Sequence, residues 1–213
     1  MLNIIFEDKN LIVLIKPVGV SSEDGMVTLI REHLEDGRAY VGIIHRLDTA
    51  VSGIMVYAKT KAAAAHLSRQ IIAGTFKKEY LAVVSGEPEH ISGRYDDLLF
   101  KDSKKNKSYV VKRERRGVKK AALEYETVGS TVFDGGKVTL VKIRLLTGRT
   151  HQIRVQFSSR KMPLLGDKKY GSRYDGPIAL YSHSLTFMCP ETEKELRFIS
   201  NPENTFPFNR FPK

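Results

Sequence analysis

The chain has 213 residues, enough for one substantial core, and its 41% hydrophobic and 28% charged residues are those of a globular protein rather than a disordered one. No apolar run reaches the ~18 residues of a membrane span, the start MLNIIFEDKN lacks the basic-then-apolar order of a signal peptide, and the single cysteine, Cys189, excludes an internal disulfide framework and a Cys-based zinc site. Thirty-five Lys and Arg against 24 Asp and Glu leave a formal charge of +11, a field that favours a polyanionic partner.

In chain order, IIFED and LIVLIK read as strands, followed by a turn at Pro17, Val18 and Gly19. Residues 26–34 carry apolar side chains at Val27, Ile30 and Leu34, a short helical pattern. Residues 41–44 and 54–58 read as short buried strands, and between them lies the polar connection HRLDTAVS. Asp48 in that connection has an ordinary reading as a turn residue whose carboxylate accepts nearby backbone N–H groups. Residues 60–74 predict a helix with Ala63, Leu67, Ile71 and Ile72 on one stripe and Gly74 as its stop. KEYLAVVSG at 78–86 reads as a strand.

Charge then concentrates: residues 101–120 hold ten basic residues against two acidic ones, which reads either as a nucleic-acid contact or as a solvated loop. Residues 122–128 and 137–145 read as strands of a hairpin turned by Asp134, Gly135 and Gly136. In LTGRTHQIRVQF at 146–157, a helix would put His151 and Arg154 on one face and Ile153 and Phe157 on another. Residues 178–188 and 195–199 supply late strands. Strands outnumber helices and often follow one another directly, which predicts an α+β fold: a single catalytic domain over residues 1–213 with a largely antiparallel mixed β-sheet flanked by helices.

Several chemistries lack their motif. Neither G-x-x-x-x-G-K-[ST] nor G-x-G-x-x-G occurs, the six His residues show no metal-ligand spacing, and no G-x-S-x-G elbow is present. What remains is a carboxylate among basic residues.

The ordered blocks HRLD, SG with an apolar strand ending in AKT, KEYLAVVSG, TGRTHQIRVQ and PLLGDKKYG resemble the RluA family of RNA pseudouridine synthases. The similarity runs from IIFEDKNLIVLIKPVGV to SHSLTFMCPETEKELRFISNP, nearly the whole chain. One position departs: Val51 stands where the family usually has Thr before the Ser-Gly pair.

The resemblance implies the pseudouridine synthase fold and an isomerase that converts a specific uridine of tRNA or rRNA to pseudouridine. Asp48 is then the essential carboxylate, attacking ribose C1′ or taking a ribose proton to give a glycal. Arg154 matches the active-site Arg, with phosphate binding as its other reading, and Tyr80 matches the active-site Tyr. Arg46 is expected to fill the gap left by a flipped base or to hold a phosphate, or alternatively to pair with Asp48. The expected RNA-binding set comprises Arg46, His45, Lys78, Arg149, His151, Gln152, Lys112, Arg113, Arg115 and Arg116. Isomerisation needs neither cofactor nor metal, so none is expected.

The expected partner is an RNA stem-loop, with no DNA and no membrane, and the protein is expected to be a cytoplasmic monomer. Because the family-like first strand begins at residue 3, recognition without a separate N-terminal module is also expected. The competing reading is a catalytically silent RNA-binding or ribosome-assembly factor on the same fold.

Overall fold

The computed structural model describes residues 2–211. The described chain forms two compact units, one of residues 2–78 with Tyr181–Asn201 and one of Glu79–Leu180 with residues 202–211.

In the first unit, β1 (Asn3–Glu7), β2 (Leu11–Lys16), β4 (Ser52–Ala58) and β10 (Leu180–Met188) are successive neighbours, with β3 (Gly42–Ile43) on β4 and β11 (Glu195–Ile199) on β10. β1 on β2, β2 on β4 and β10 on β11 are antiparallel, whereas β10 meets β4 in parallel through Tyr181 and Ser182 opposite Ser52 and Gly53. β2 and β4 are apolar without alternation because both of their faces are covered. Leu11, Val13, Ile54, Val56, Leu185 and Phe187 form a core with Ala63 and Leu67 of α2 (Lys61–Ala73).

Helix α2 starts and stops where its ends are satisfied. Thr60 accepts the Ala63 N–H through its Oγ1, and Gly74, at φ 74°, takes the left-handed turn that lets the Thr75 N–H reach the Gln70 carbonyl. Its buried face is Ala63, Leu67 and Gln70, while Ile72, expected on that stripe, is 87% exposed. At 100° per residue Ile72 lies far from Leu67 around the helix. Gln70 takes the place inside because its amide bonds both the N–H and the C=O of Met188. The shorter helix α1 (Asp24–His33) buries Met26 and Ile30.

In the second unit, β5 (Lys77–Ser85), apart from its first two residues, neighbours β9 (Gly136–Leu145), which continues to β8 (Val118–Phe133), β6 (Ser92–Asp102) and β7 (Lys107–Val111). The β9, β8, β6 and β7 pairings are all antiparallel. The β8–β9 hairpin turns at Asp134 and Gly135, both at positive φ, as the Asp-Gly-Gly signal predicts. Strand β7 lies within residues 101–120, the stretch that the sequence marks only by its charge, and β6 reaches into it with its last two residues, Lys101 and Asp102. Helix α3 (Gln152–Ser158) is buried at every residue except Ser158, so Arg154 faces the interior as Ile153 and Phe157 do. The architecture is α+β with a largely antiparallel sheet, as the strand order of the sequence implies. Among the described residues no helix is long and apolar enough to cross a membrane.

Candidate active site

Asp48 sits half-buried in the irregular segment between β3 and β4. The Val51 N–H donates to the Asp48 carbonyl at 2.9 Å, closing a turn through backbone alone, so Val51 serves there without the family's usual hydroxyl. One residue ahead, Leu47 is fixed from α1's approach: the Ser22 hydroxyl donates to the Leu47 carbonyl at 2.7 Å and accepts its N–H at 3.0 Å. One residue on, the Thr49 carbonyl accepts the Gly19 N–H at 2.8 Å and an N–H of Lys16 Nζ at 3.3 Å.

Lys16 ends the apolar strand β2 and is fully buried. Its ammonium also donates to the carbonyls of Pro17 and Val20, gathering two loops around one cation. Burial pushes its pKa down to about 8, and the Asp48 carboxylate pulls in the opposite direction. Neither Lys16 nor Ser22 stands out in the sequence, because each reaches the Asp48 segment from tens of residues away.

Gly53 explains the Ser-Gly pair that follows. At φ 128° it lies against the backbone of Ser182, where an added Cβ would stand 2.4 Å from the carbonyl oxygen. Only glycine permits this approach of β4 to β10.

The second unit holds a distinct polar cluster around α3. Arg154 is 6% exposed and donates from Nε and Nη2 to the two carboxylate oxygens of a fully buried Asp167, at 2.7 and 2.8 Å. Its guanidinium lies 5.1 Å from the centre of the Tyr170 ring. The Tyr170 hydroxyl accepts the Ser108 N–H at 2.8 Å and meets His151 Nδ1 at 3.0 Å. Burial raises the pKa of this phenol, with the Ser108 bond opposing. Asp167 and Tyr170 belong to PLLGDKKYG, the block quoted above for its resemblance, yet no sequence signal assigns either of them a partner. Tyr80 lies in β5 and is 5% exposed.

The remaining expected RNA contacts divide. His45 and Gln152 lie inside the protein. His45 is 7% exposed, accepts the Val56 N–H through Nε2 at 3.3 Å and packs its ring against Phe76. Burial, aided by the charge of Lys78, pushes its pKa down to about 3. Gln152 spends its amide on the turn ahead of α3: its oxygen accepts the Arg149 N–H and the Thr147 hydroxyl, and its nitrogen donates to the Ala122 carbonyl.

His151 is buried beside Tyr170 in a left-handed conformation, and Lys78 is half-buried with a lowered pKa. Arg46 is exposed and pairs with Glu23 at 2.9 Å, a partner other than the one considered from the sequence. Arg149 is exposed and anchored by Nε on the Lys120 carbonyl. Lys112, Arg113, Arg115 and Arg116 are exposed in the segment before β8, beside a cavity of about 440 Å³ lined by Leu98, Glu114, Arg115, Val118 and Lys120. Among the described residues no group of three His, Cys, Asp or Glu side chains could hold a metal ion.

The sequence model of RNA pseudouridylate synthases matches residues 10–159. Ribosomal large subunit pseudouridine synthase D of Borreliella burgdorferi is 31% identical over 99% of this chain and 65% of its own length. An uncharacterized RNA pseudouridine synthase of Bacillus subtilis, YlyB, is 33% identical over 92% of this chain and 68% of its own. The chain spans 65% of the Borreliella relative and 56% of relatives from Aquifex aeolicus and Zymomonas mobilis. The structure of human RNA pseudouridylate synthase domain containing 1 superposes with a TM-score of 0.81 at 23% identity, covering 98% of this chain and 86% of that one, which establishes the common fold. The chain therefore belongs to the RNA pseudouridylate synthase family, in its RluA-type branch.

Proposed function

We propose that this chain isomerises a uridine of tRNA or rRNA to pseudouridine, with Asp48 as the carboxylate that opens the bond from ribose C1′ to N1. The supporting observation is the setting of Asp48: a backbone-closed turn, held from both sides by Ser22 and by the buried ammonium of Lys16. A turn that only connected strands would not require an enclosed cation.

The carboxylate either attacks C1′ or takes a ribose proton to give a glycal. The uracil turns, C5 bonds to C1′, the C5 hydrogen leaves as a proton, and N1 takes one up. Nothing is oxidised, so the reaction needs no redox partner.

Tyr80 is assigned to stack on the uracil and to stand near C5 as that carbon loses its proton. Arg154 is assigned as the active-site cation of the reaction, with phosphate binding as its other role. Turning the base out of its stack costs about a few kcal/mol, and Arg46, exchanging Glu23 for RNA, is assigned to hold the opened strand. Lys112, Arg113, Arg115, Arg116 and Arg149 supply phosphate contacts to a stem-loop, where bases are free to be splayed out.

The test is tritium release from RNA labelled at uridine C5, with Asp48→Asn beside the wild type. Asn is nearly isosteric but cannot act as nucleophile or base. Release should fall at least about a thousandfold, since acid–base groups alone contribute ~10²–10⁴-fold, while RNA binding persists. Wild-type protein that binds RNA and releases no tritium would identify a silent RNA-binding factor instead.

A further inference from the structure

The β6–β7 hairpin does two things at once. Its tip carries the exposed Lys101, Lys104 and Lys105, and the residues that lead out of that tip, Asn106, Lys107 and Ser108, are docked on the Asp167–Tyr170 turn that holds Arg154. The docking is reciprocal. Lys107 Nζ donates to the Lys169 carbonyl and Lys169 Nζ to the Asn106 carbonyl, and the Lys107 ammonium lies 5.1 Å from the centre of the Tyr170 ring.

Ser108 is the focus of that contact. Its N–H donates to the Tyr170 hydroxyl at 2.8 Å, and its own hydroxyl donates to the Thr150 carbonyl at 2.7 Å, where the chain enters α3. One hairpin residue thus grips both the aromatic ring beneath the Arg154 guanidinium and the start of the helix that carries Arg154.

The Tyr170 hydroxyl has a single proton to give. It accepts the Ser108 N–H, and His151 Nδ1 lies at hydrogen-bond distance, 3.0 Å, on the same hydroxyl. Two neighbours therefore hold the phenol, the Ser108 N–H and His151 Nδ1. A shift of the hairpin's tip end moves the donor, and the ring must follow or lose a buried hydrogen bond.

We propose that Tyr170 is a positioning residue that couples the basic β6–β7 hairpin to Arg154, so that RNA seated on the hairpin sets the orientation of the guanidinium. The consequence for turnover rests on the reading above, in which Arg154 serves pseudouridine formation; the coupling itself does not.

Tyr170→Phe tests it, because it keeps the ring over which Arg154 lies and removes only the hydroxyl that Ser108 grips. The full chain, labelled with nitrogen-15, is titrated with an RNA hairpin of about twenty nucleotides while the Ser108 amide and Arg154 Nε–H resonances are followed. In the wild type both should shift along one binding curve. In Tyr170→Phe the Ser108 shift should persist and the Arg154 shift should shrink severalfold, with RNA affinity within twofold of wild type. In parallel, C5 tritium release should show kcat lowered about tenfold with KM little changed, the signature of a lost transition-state contribution rather than of lost binding. An Arg154 resonance that ignores RNA in the wild type, or that responds equally in Tyr170→Phe, overturns the proposal. Coupled resonances in a wild-type protein that releases no tritium would leave the coupling standing and remove the catalytic reading.

Discussion

Ser22 and Leu47 exchange two hydrogen bonds through one hydroxyl, which gives to the Leu47 carbonyl and takes from the Leu47 N–H, so the residue preceding Asp48 has no backbone freedom left. Ser22→Ala leaves both buried groups without this partner, at about 1–3 kcal/mol each. Leu47 would relax toward solvent and carry Asp48 with it, and a displacement of ~1 Å at a reacting group costs on the order of 10²-fold in rate. The expected outcome is a lower thermal midpoint together with a kcat for tritium release reduced about 10- to 100-fold and RNA affinity within threefold. Unchanged kcat would mean that Asp48 is held by other contacts.

Gly53 is the most demanding position in the first unit. Its φ of 128° is one that L side chains rarely adopt, and a Cβ there would meet the Ser182 oxygen, nitrogen and Cα at 2.4, 2.5 and 2.8 Å. All three are backbone atoms of the neighbouring strand β10, so no side chain can swing aside. Gly53→Ala should destabilise the protein by at least about 3 kcal/mol, from strain and overpacking together. The urea midpoint should fall accordingly, or soluble protein should be lost. A shift below about 1 kcal/mol would show that the strands separate easily.

The parts of this fold visible in the sequence are those whose stabilisation is local. The unbroken run LIVLIK reads as a strand because both its faces are buried, and α2 reads as a helix because Thr60 and Gly74 cap it. Strands β6 and β7 escape notice because few of their side chains are buried and their register comes from distant partners, Ser92 opposite Glu126 through Phe100 opposite Val118. The candidate site divides in the same way. Asp48 and Arg154 are marked by motifs, whereas Lys16 and Ser22 reach the Asp48 segment through bonds to residues 33 and 25 positions away. His45, expected among the RNA contacts, is 7% exposed and packs its ring against Phe76, a partner 31 positions on that no local pattern announces.

His45 makes stability depend on pH. Its pKa in the folded protein is about 3, against about 6.5 in an unfolded chain, because burial penalises the charged ring and protonation would also cost Nε2 its role as acceptor for the Val56 N–H. Between those values the unfolded state binds more protons than the folded one, so stability is present in full above about pH 6.5 and is lost as pH falls toward 3. His45→Phe, which cannot titrate, should flatten that part of the stability curve relative to wild type. Parallel curves for the two proteins between pH 6.5 and 4 would show that His45 is not the titrating group.

The basic segment ahead of β8 offers a reading of RNA affinity that is separable from folding. Lys112, Arg113, Arg115 and Arg116 are exposed, with Glu114 the single acid among them. The segment's shape is set by backbone: the Val118 N–H donates to the Arg115 carbonyl at 3.0 Å, and Gly117 turns at φ 86°. The packing role of these four side chains is the Arg115 guanidinium, 4.8 Å from the centre of the Phe100 ring. Replacing all four with Gln therefore removes charge while leaving the turn, and the melting midpoint should move little. Each cation that neutralises a phosphate releases counterions, which makes log affinity fall with log salt by about 0.7–0.9 per contact. If all four touch phosphates, the slope should become shallower by about 3, so the deficit of the quadruple variant would be largest at low salt and would nearly vanish at high salt. A deficit of the same size at every salt concentration would point instead to a local role for Arg115 and Phe100 in shaping the surface. An unchanged slope with unchanged affinity would make this stretch a solvated face that keeps the protein soluble.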